Sequence, residues 1–198
     1  RKQSAQTLDL KDLKIATSSL RRRAFWLKEF PDTEFSDIRG NVQTRLRKLE
    51  EQDFDATIFS LAGLKRININ ISHEEIPGMI SAASQGVVAV AGHEENAEIN
   101  EVLTRINHRE TQICVEIERN FLKTLEGGCT APIGAFAEYE DGKIRFIGRL
   151  CSLDGKNCIQ TDEIFEYKEN KNFGEELAQK ILNNGGKAVM EEIKQQMG

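Results

Sequence analysis

Arginines occupy a recurrent position in the first third of the chain, and a lone thiol follows a helical run further on. Arg21 and Arg22 come just after Leu13-Lys14-Ile15-Ala16-Thr17, whose alternation of apolar and polar residues predicts a short strand. Arg39 follows the strand-like Glu34 to Ile38, with Arg45 one turn into the next helix, and Arg66 follows the buried-type run Asp55 to Leu61. Each of three predicted strands thus delivers an arginine just past its C-terminal end. Arg21, Arg22 and Arg23 also fill the first turn of a helix, where the dipole favours acidic groups. That choice makes sense if an anion docks between the guanidinium groups and the free backbone N–H groups. The alternative is a solvated basic patch. Recurrence at one structural position favours the anion site, since charges scattered for solubility have no reason to repeat there.

The thiol is Cys129, within Leu125-Glu126-Gly127-Gly128-Cys129-Thr130-Ala131-Pro132-Ile133-Gly134. A glycine pair past a helix end supplies the left-handed cap residue, so a cysteine just beyond it is expected on an exposed turn. Taken alone this is ordinary, because free cysteine usually packs as a small hydrophobe.

The elements that must position these groups alternate. Ser18 and Ser19 are candidate caps for a helix from Leu20 to Phe30 that Pro31 stops, and Asn41 for a helix from Val42 to about Gln52. Strand–helix alternation with short loops implies a parallel or mixed sheet with helices on its faces, and ligands bind such sheets at the carboxyl ends of the strands. Arg21, Arg22, Arg39, Arg45 and Arg66 are expected to converge there on one crevice. Ser81 to Gly86 is a small-residue stretch suited to a turn or a hinge, Val87 to Ala91 reads as an apolar strand, and Glu94 to Asn107 as a polar-faced helix. Arg109 to Leu125 carries Ile113, Ile117, Phe121 and Leu125 on one face. Glu140-Asp141-Gly142 and Asp154-Gly155 are turn signals between three predicted antiparallel strands. Helices from Phe173 to Asn183 and Ala188 to Gln196 follow, broken at Gly185-Gly186.

The 198 residues are 39% hydrophobic and 30% charged, the balance of an ordinary globular protein. The formal net charge of −5 argues against a general nucleic-acid binder, so any basic site must be local. No apolar run reaches the length of a membrane span. Cys114, Cys129, Cys151 and Cys158 show no CxxC spacing, and His73, His93 and His108 are scattered surface residues, so no metal site is expected. Reduced thiols in a cytoplasmic protein are the default, with a Cys151–Cys158 hairpin disulfide the less favoured alternative.

Several longer motifs resemble those of the porphobilinogen deaminase (hydroxymethylbilane synthase) family. Thr17-Ser18-Ser19-Leu20-Arg21-Arg22 is similar to its first arginine motif, Ile38 to Leu46 (with Arg39-Gly40-Asn41 and Thr44-Arg45) to its second, and Ala62-Gly63-Leu64-Lys65-Arg66 to its third. Gln85-Gly86 matches its hinge loop. Glu118-Arg119, Glu126 to Cys129 and Pro132-Ile133-Gly134 match its cofactor-carrying segment.

The resemblance implies a covalent dipyrromethane cofactor on Cys129, with Arg21, Arg22, Arg45, Arg66 and Ser19 holding it. Arg39, Ser18 and Gln85 would contact the growing chain of porphobilinogen units. Acetate and propionate arms make that chain a polyanion, and a guanidinium grips a carboxylate through two parallel hydrogen bonds. The implied architecture is an α/β fold: a periplasmic-binding-protein-like mixed sheet domain over residues 13–86, then a small α+β domain with a three-stranded antiparallel sheet over 107–198. Residues 1–12 would be a linker from a missing first domain, and 87–106 a segment returning toward it, so that Val87 to Ala91 is expected to have lost its sheet neighbours and to be disordered, exposed or paired elsewhere. The family's catalytic aspartate belongs to that first domain and has no counterpart in these residues. The chain alone is therefore expected to be inactive, and the whole enzyme to be a monomer. A non-catalytic binding module for a carboxylated ligand is the competing reading. The family usually has Pro at position 81, Gly at 84 and an acidic residue at 91, where this chain has Ser81, Ser84 and Ala91. Arg23 exceeds the family's usual pair and is expected to be exposed.

Overall fold

A computed structural model describes residues 1–125 and 131–197. The first sheet is parallel throughout, with strand order β2-β1-β3: β1 is Ile15–Ala16, β2 Phe35–Ser36 and β3 Ala56–Thr57. Ile15 lies opposite both Phe35 and Ala56, which makes β1 the central strand. Its two side chains point to opposite faces, as the strand period requires. Ile15 packs with Leu13, Trp26, Ala56 and Ile58, while Ala16 packs with Ile38, Leu49 and Phe54. Helix α1 (Leu20–Glu29) covers one face through Trp26, and α2 (Val42–Glu51) the other through Leu49. A short α3, Leu61–Arg66, follows β3. The side chains of Ser19, Asn41 and Ser60 cap these helices, accepting from the backbone N–H of Arg22, Thr44 and Gly63.

Val87 to Ala91, strand-like in composition but expected to lack its sheet neighbours, forms no strand. It has no regular secondary structure, and Val88 and Val90 are exposed. An apolar run becomes a strand only where a neighbour takes up its backbone groups, and the described residues offer it none. Helix α4, Ala97–Ile106, follows with no buried residue; Ile99, Val102 and Ile106 all face solvent.

The second sheet is antiparallel with order β4-β5-β6: β4 is Ile133–Glu140, β5 Lys143–Cys151 and β6 Cys158–Glu166. Asp141 and Gly142 both have positive φ (49° and 79°), so the tight turn between β4 and β5 needs residues that tolerate that region. One face, including Ile133, Ala135, Ile144, Phe146 and Leu150, packs against three helices. These are α5 (Arg109–Thr124), through Ile113, Ile117 and Phe121; α6 (Phe173–Ile181), through Leu177; and α7 (Lys187–Met197), through Val189 and Ile193. Asn184 and Gly185 depart from helical geometry between the last two, where the sequence places the break.

The opposite face carries Ile147 and Cys151 and meets α1 through Ala24 and Phe25, with Met79 and Ile80 beside them. Cys151 and Cys158 lie opposite each other in register and are disulfide-bonded, their Cα atoms 4.1 Å apart. The expectation of reduced thiols is corrected here: the β5–β6 register, which the sequence does not spell out, brings the two cysteines face to face. Gly155, in the turn between them, sits so close to α1 that a Cβ there would lie 2.5 Å from the Ala24 carbonyl oxygen. Arg149 extends the same contact, its guanidinium 5.1 Å from the Phe25 ring and donating to the Gly78 carbonyl at 3.0 Å. Among the described residues no helix is long and apolar enough to cross a membrane.

Candidate functional site

Because all three parallel strands run the same way, the turns after them emerge at one edge of the sheet. Helices α1 and α2 begin there with no acidic residue in the first turn. Arg21 is half-buried; it donates to the Ile80 carbonyl oxygen and, at 3.0 Å, to Gln85 Oε1. Arg22, also half-buried, donates to the Ile58 carbonyl oxygen at 2.7 Å. Arg45 Nε donates to the Gly40 carbonyl oxygen at 2.8 Å.

Burial, and then the charge of Arg22, pulls the Arg21 guanidinium down from its ordinary range to about 10. Arg22 is lowered too, by burial first and by Arg45 second. Arg22 therefore stands close enough to Arg21 and to Arg45 for like-charge repulsion. Among the described residues none of them has a carboxylate partner within ion-pairing distance. Backbone carbonyls orient them without cancelling their charge. A cluster of unpaired, partly desolvated cations costs stability unless an anion joins it.

A cavity of about 720 Å³ opens beside Arg21 and Arg22, with Ser60, Ser81, Gln85 and the carboxylates Glu50, Glu74 and Glu75 among its polar lining and Leu13, Ile15, Trp26, Ile58 and Leu64 among its apolar lining. Of the five arginines expected to converge, Arg21 and Arg22 line this cavity, and Arg45 stands near Arg22 without lining it. Arg39 and Arg66 are exposed, and neither lines this cavity. Arg39 lies at the turn before α2 and Arg66 at the C-terminal end of α3, where the side chains reach solvent instead. Ser18 and Ser19 are already engaged by the backbone. Ser18 Oγ donates to the Ile38 carbonyl oxygen at 2.9 Å and accepts from the Ile38 N–H, and Ser19 Oγ caps α1. Both hydroxyls thus fix the turn that carries the arginines. Arg23 is not exposed as expected. It is half-buried, its guanidinium 5.0 Å from the Phe35 ring, because the helix turns this third arginine toward β2 rather than toward solvent.

Cys129 lies outside the described residues. Helix α5, which leads toward it, carries on its buried face a residue that the apolar pattern did not single out. Glu118 is only 6% exposed, and its two oxygens accept from Ser84 N–H at 2.6 Å and Ala137 N–H at 2.8 Å. Burial raises its pKa above the ordinary carboxylate range, although both hydrogen bonds act the other way. A carboxylate on the stripe of Ile113, Ile117 and Phe121 was the available signal, since such a group must find partners. Burial and the charge of Glu118 push the nearby Cys114 thiol up to about 11, which leaves it protonated and inert at neutral pH. His73, His93 and His108 are exposed, and His108 caps α5. Among the described residues no group of His, Cys, Asp or Glu could hold a metal ion.

An open parallel α/β sheet carries a guanidinium cluster without carboxylate partners among the described residues, and it is joined to a helix-backed antiparallel sheet. Residues 1–101 match the family model described as porphobilinogen deaminase, dipyromethane cofactor binding domain, and residues 112–183 the one described as porphobilinogen deaminase, C-terminal domain. The chain belongs to the porphobilinogen deaminase family. Proteins of that name are similar to it in Pelobacter propionicus (35% identity over 185 residues, covering 92% of this chain and 60% of the relative), Syntrophomonas wolfei (37% over 179 residues, 89% and 58%) and Listeria monocytogenes (38% over 186 residues, 91% and 60%). The chain spans about 60% of the length of the curated relatives it matches.

Proposed function

We propose that this chain is the arginine-bearing and cysteine-bearing part of a porphobilinogen deaminase (hydroxymethylbilane synthase). The whole enzyme joins porphobilinogen units head to tail, with loss of ammonia, and then releases the linear tetrapyrrole. The observation that carries this reading is the cluster of Arg21, Arg22 and Arg45, with Arg22 close enough to the other two for like-charge repulsion and none with a carboxylate partner among the described residues. It fits a group with several carboxylate arms, which a dipyrromethane is.

When bound through a thioether at Cys129, dipyrromethane supplies the pyrrole end on which the chain is built. The protein's own part is electrostatic and positional. Arg21, Arg22 and Arg45 neutralise carboxylates, and the oriented carbonyls behind them prevent the guanidinium groups from swinging away. Gln85 aligns Arg21 and offers a neutral hydrogen bond. Ser18 and Ser19 shape the turn, and exposed Arg39 and Arg66 serve arms that reach the rim. In this reading residues 13–86 form one half of a periplasmic-binding-protein-like cleft and 107–198 the cofactor-carrying domain. Residues 1–12 and 87–106 face a further domain, for which the bare apolar side chains of Val88, Val90, Ile99, Val102 and Ile106 are suited. The enzyme works as a cytoplasmic monomer.

Denaturing mass spectrometry of the full-length protein tests the proposal. The expected result is a mass increment of one dipyrromethane, localised to the peptide containing Cys129 and abolished with activity by Cys129→Ala. An unmodified mass together with an active Cys129→Ala variant would refute it. Reversible carboxylate binding without any covalent adduct would favour a binding module instead.

A further inference from the structure

Strand β4 is an edge strand, paired on one side only by β5. In an antiparallel ladder every second residue turns both of its backbone groups away from the partner. On β4 these include Ala135 and Ala137, and two separate parts of the chain satisfy them. The Ala135 N–H donates to the Ser81 carbonyl oxygen at 3.0 Å, and Ser81 Oγ donates back to the Ala135 carbonyl oxygen at 3.3 Å. The Ala137 N–H donates to Glu118.

The second oxygen of Glu118 takes the N–H of Ser84, whose φ of +62° is unusual for a residue with a side chain and whose buried hydroxyl has no partner among the described residues. Nothing about serine favours that conformation, so the hydrogen bond to the carboxylate must help to hold it. The next residue is Gln85, whose Oε1 accepts from Arg21 and from the Ala82 N–H. A continuous path thus runs from α5 through Glu118, Ser84 and Gln85 to the Arg21 guanidinium.

We propose that Glu118 is a positioning residue for the anion site: by gripping Ser84 and Ala137 at once, it sets Gln85 against Arg21 and ties the guanidinium cluster to α5. The proposal deepens the polyanion reading and rests on it. Glu118 does not touch the ligand. A carboxylate suits the task because both partners are N–H donors and each oxygen is a pure acceptor. An amide of the same shape satisfies one N–H and sets its own NH2 against the other.

The test uses the 198-residue chain with benzenehexacarboxylate as the polyanion probe. In Glu118→Gln, hydrogen exchange at Ser84 and Gln85 should accelerate at least ~10-fold, as expected for loss of a charge-assisted bond, while amides of β5 keep their protection. Probe affinity should fall about 10-fold. Gln85→Ala should lower affinity similarly, and the double variant should be no weaker than either single one, because both act through Arg21. Additive losses, or unchanged exchange at Ser84 and Gln85, would overturn the proposal. If the wild-type chain does not bind the probe, the polyanion reading fails, yet the exchange data still judge the clamp. Should Glu118→Gln fail to fold, Glu118→Asp keeps the charge but shortens the reach. Its exchange at Ser84 must then rise for the clamp to stand.

Discussion

Replacing Arg21 by methionine should separate ligand binding from stability. The fall of its guanidinium from the ordinary arginine range to about 10 corresponds to about 3 kcal/mol against the charged form in the unliganded fold. Methionine removes that cost, and with it the hydrogen bonds to Ile80 and Gln85. The orphaned Ile80 carbonyl costs about 1–3 kcal/mol, whereas the exposed Gln85 oxygen turns to water. The two effects nearly cancel, so unliganded stability should move by no more than about 1 kcal/mol, where truncating a well-packed residue costs ~2–5 kcal/mol. Binding does not cancel: loss of one charge-assisted hydrogen bond costs about 1.5–3 kcal/mol, or roughly 10- to 150-fold in affinity.

Thermal melts with and without benzenehexacarboxylate read both terms. At a probe concentration near 100 times its Kd, the wild type gains about 2.7 kcal/mol. A variant binding ~30-fold more weakly gains only about 0.9 kcal/mol at the same concentration. For a chain of this size these gains correspond to shifts in Tm of roughly 5–11 °C and 2–4 °C. A variant that loses several kcal/mol without probe, yet keeps the full probe-induced shift, would show that Arg21 is structural and defeat the reasoning.

Three further outcomes follow from local geometry. Ser84→Gly should raise the midpoint of urea unfolding, by up to about 1 kcal/mol in stability, because it relieves a positive φ and deletes an unpartnered hydroxyl; a lowered midpoint would contradict this. Gly155→Ala should cost about 2 kcal/mol or more, since its Cβ meets the backbone of α1 and its φ is +73°; near-neutral unfolding would mean that the β5–β6 turn does not press on the helix. The pH dependence of stability should carry two opposite components. Lys180 holds the Glu163 carboxyl below its usual range. The native state therefore binds fewer protons there, and this contribution is present above the unfolded value and lost as pH falls through the folded one. Glu118 is raised by burial, so its contribution is greatest below the unfolded carboxylate value and is lost as pH rises through the folded one. Glu163→Gln should flatten the acid limb of a stability–pH curve and Glu118→Gln the limb just above it; unchanged curves would contradict both assignments.

The elements most legible in the sequence are those decided by local chemistry. The caps at Ser19 and Asn41, the α5 stripe of Ile113, Ile117 and Phe121, and the Asp141-Gly142 turn all stand where residue type and spacing put them. The arginines at the carboxyl ends of the parallel strands were legible for the same reason. What was hidden depends on partners distant in the chain. Cys151 and Cys158 meet only because the β5–β6 register sets them opposite, against an expectation drawn from the redox compartment. Arg39 and Arg66 share the spacing of the clustered arginines yet turn to solvent. Glu118 was visible as a charge on an apolar face, but its partners, 34 residues upstream and 19 downstream, were not.

Since Ser81 and Glu118 stand in for the strand that β4 lacks, the C-terminal half cannot be trimmed freely. A recombinant piece beginning at α5 would keep its helices and its three-stranded core, yet would bare the amide and carbonyl of Ala135 along one border. Such a border invites a second copy to add its own strand. The connector that joins the halves is thus also a chaperone-like sheath, and the shortest piece that stays monodisperse should start upstream of Ser81.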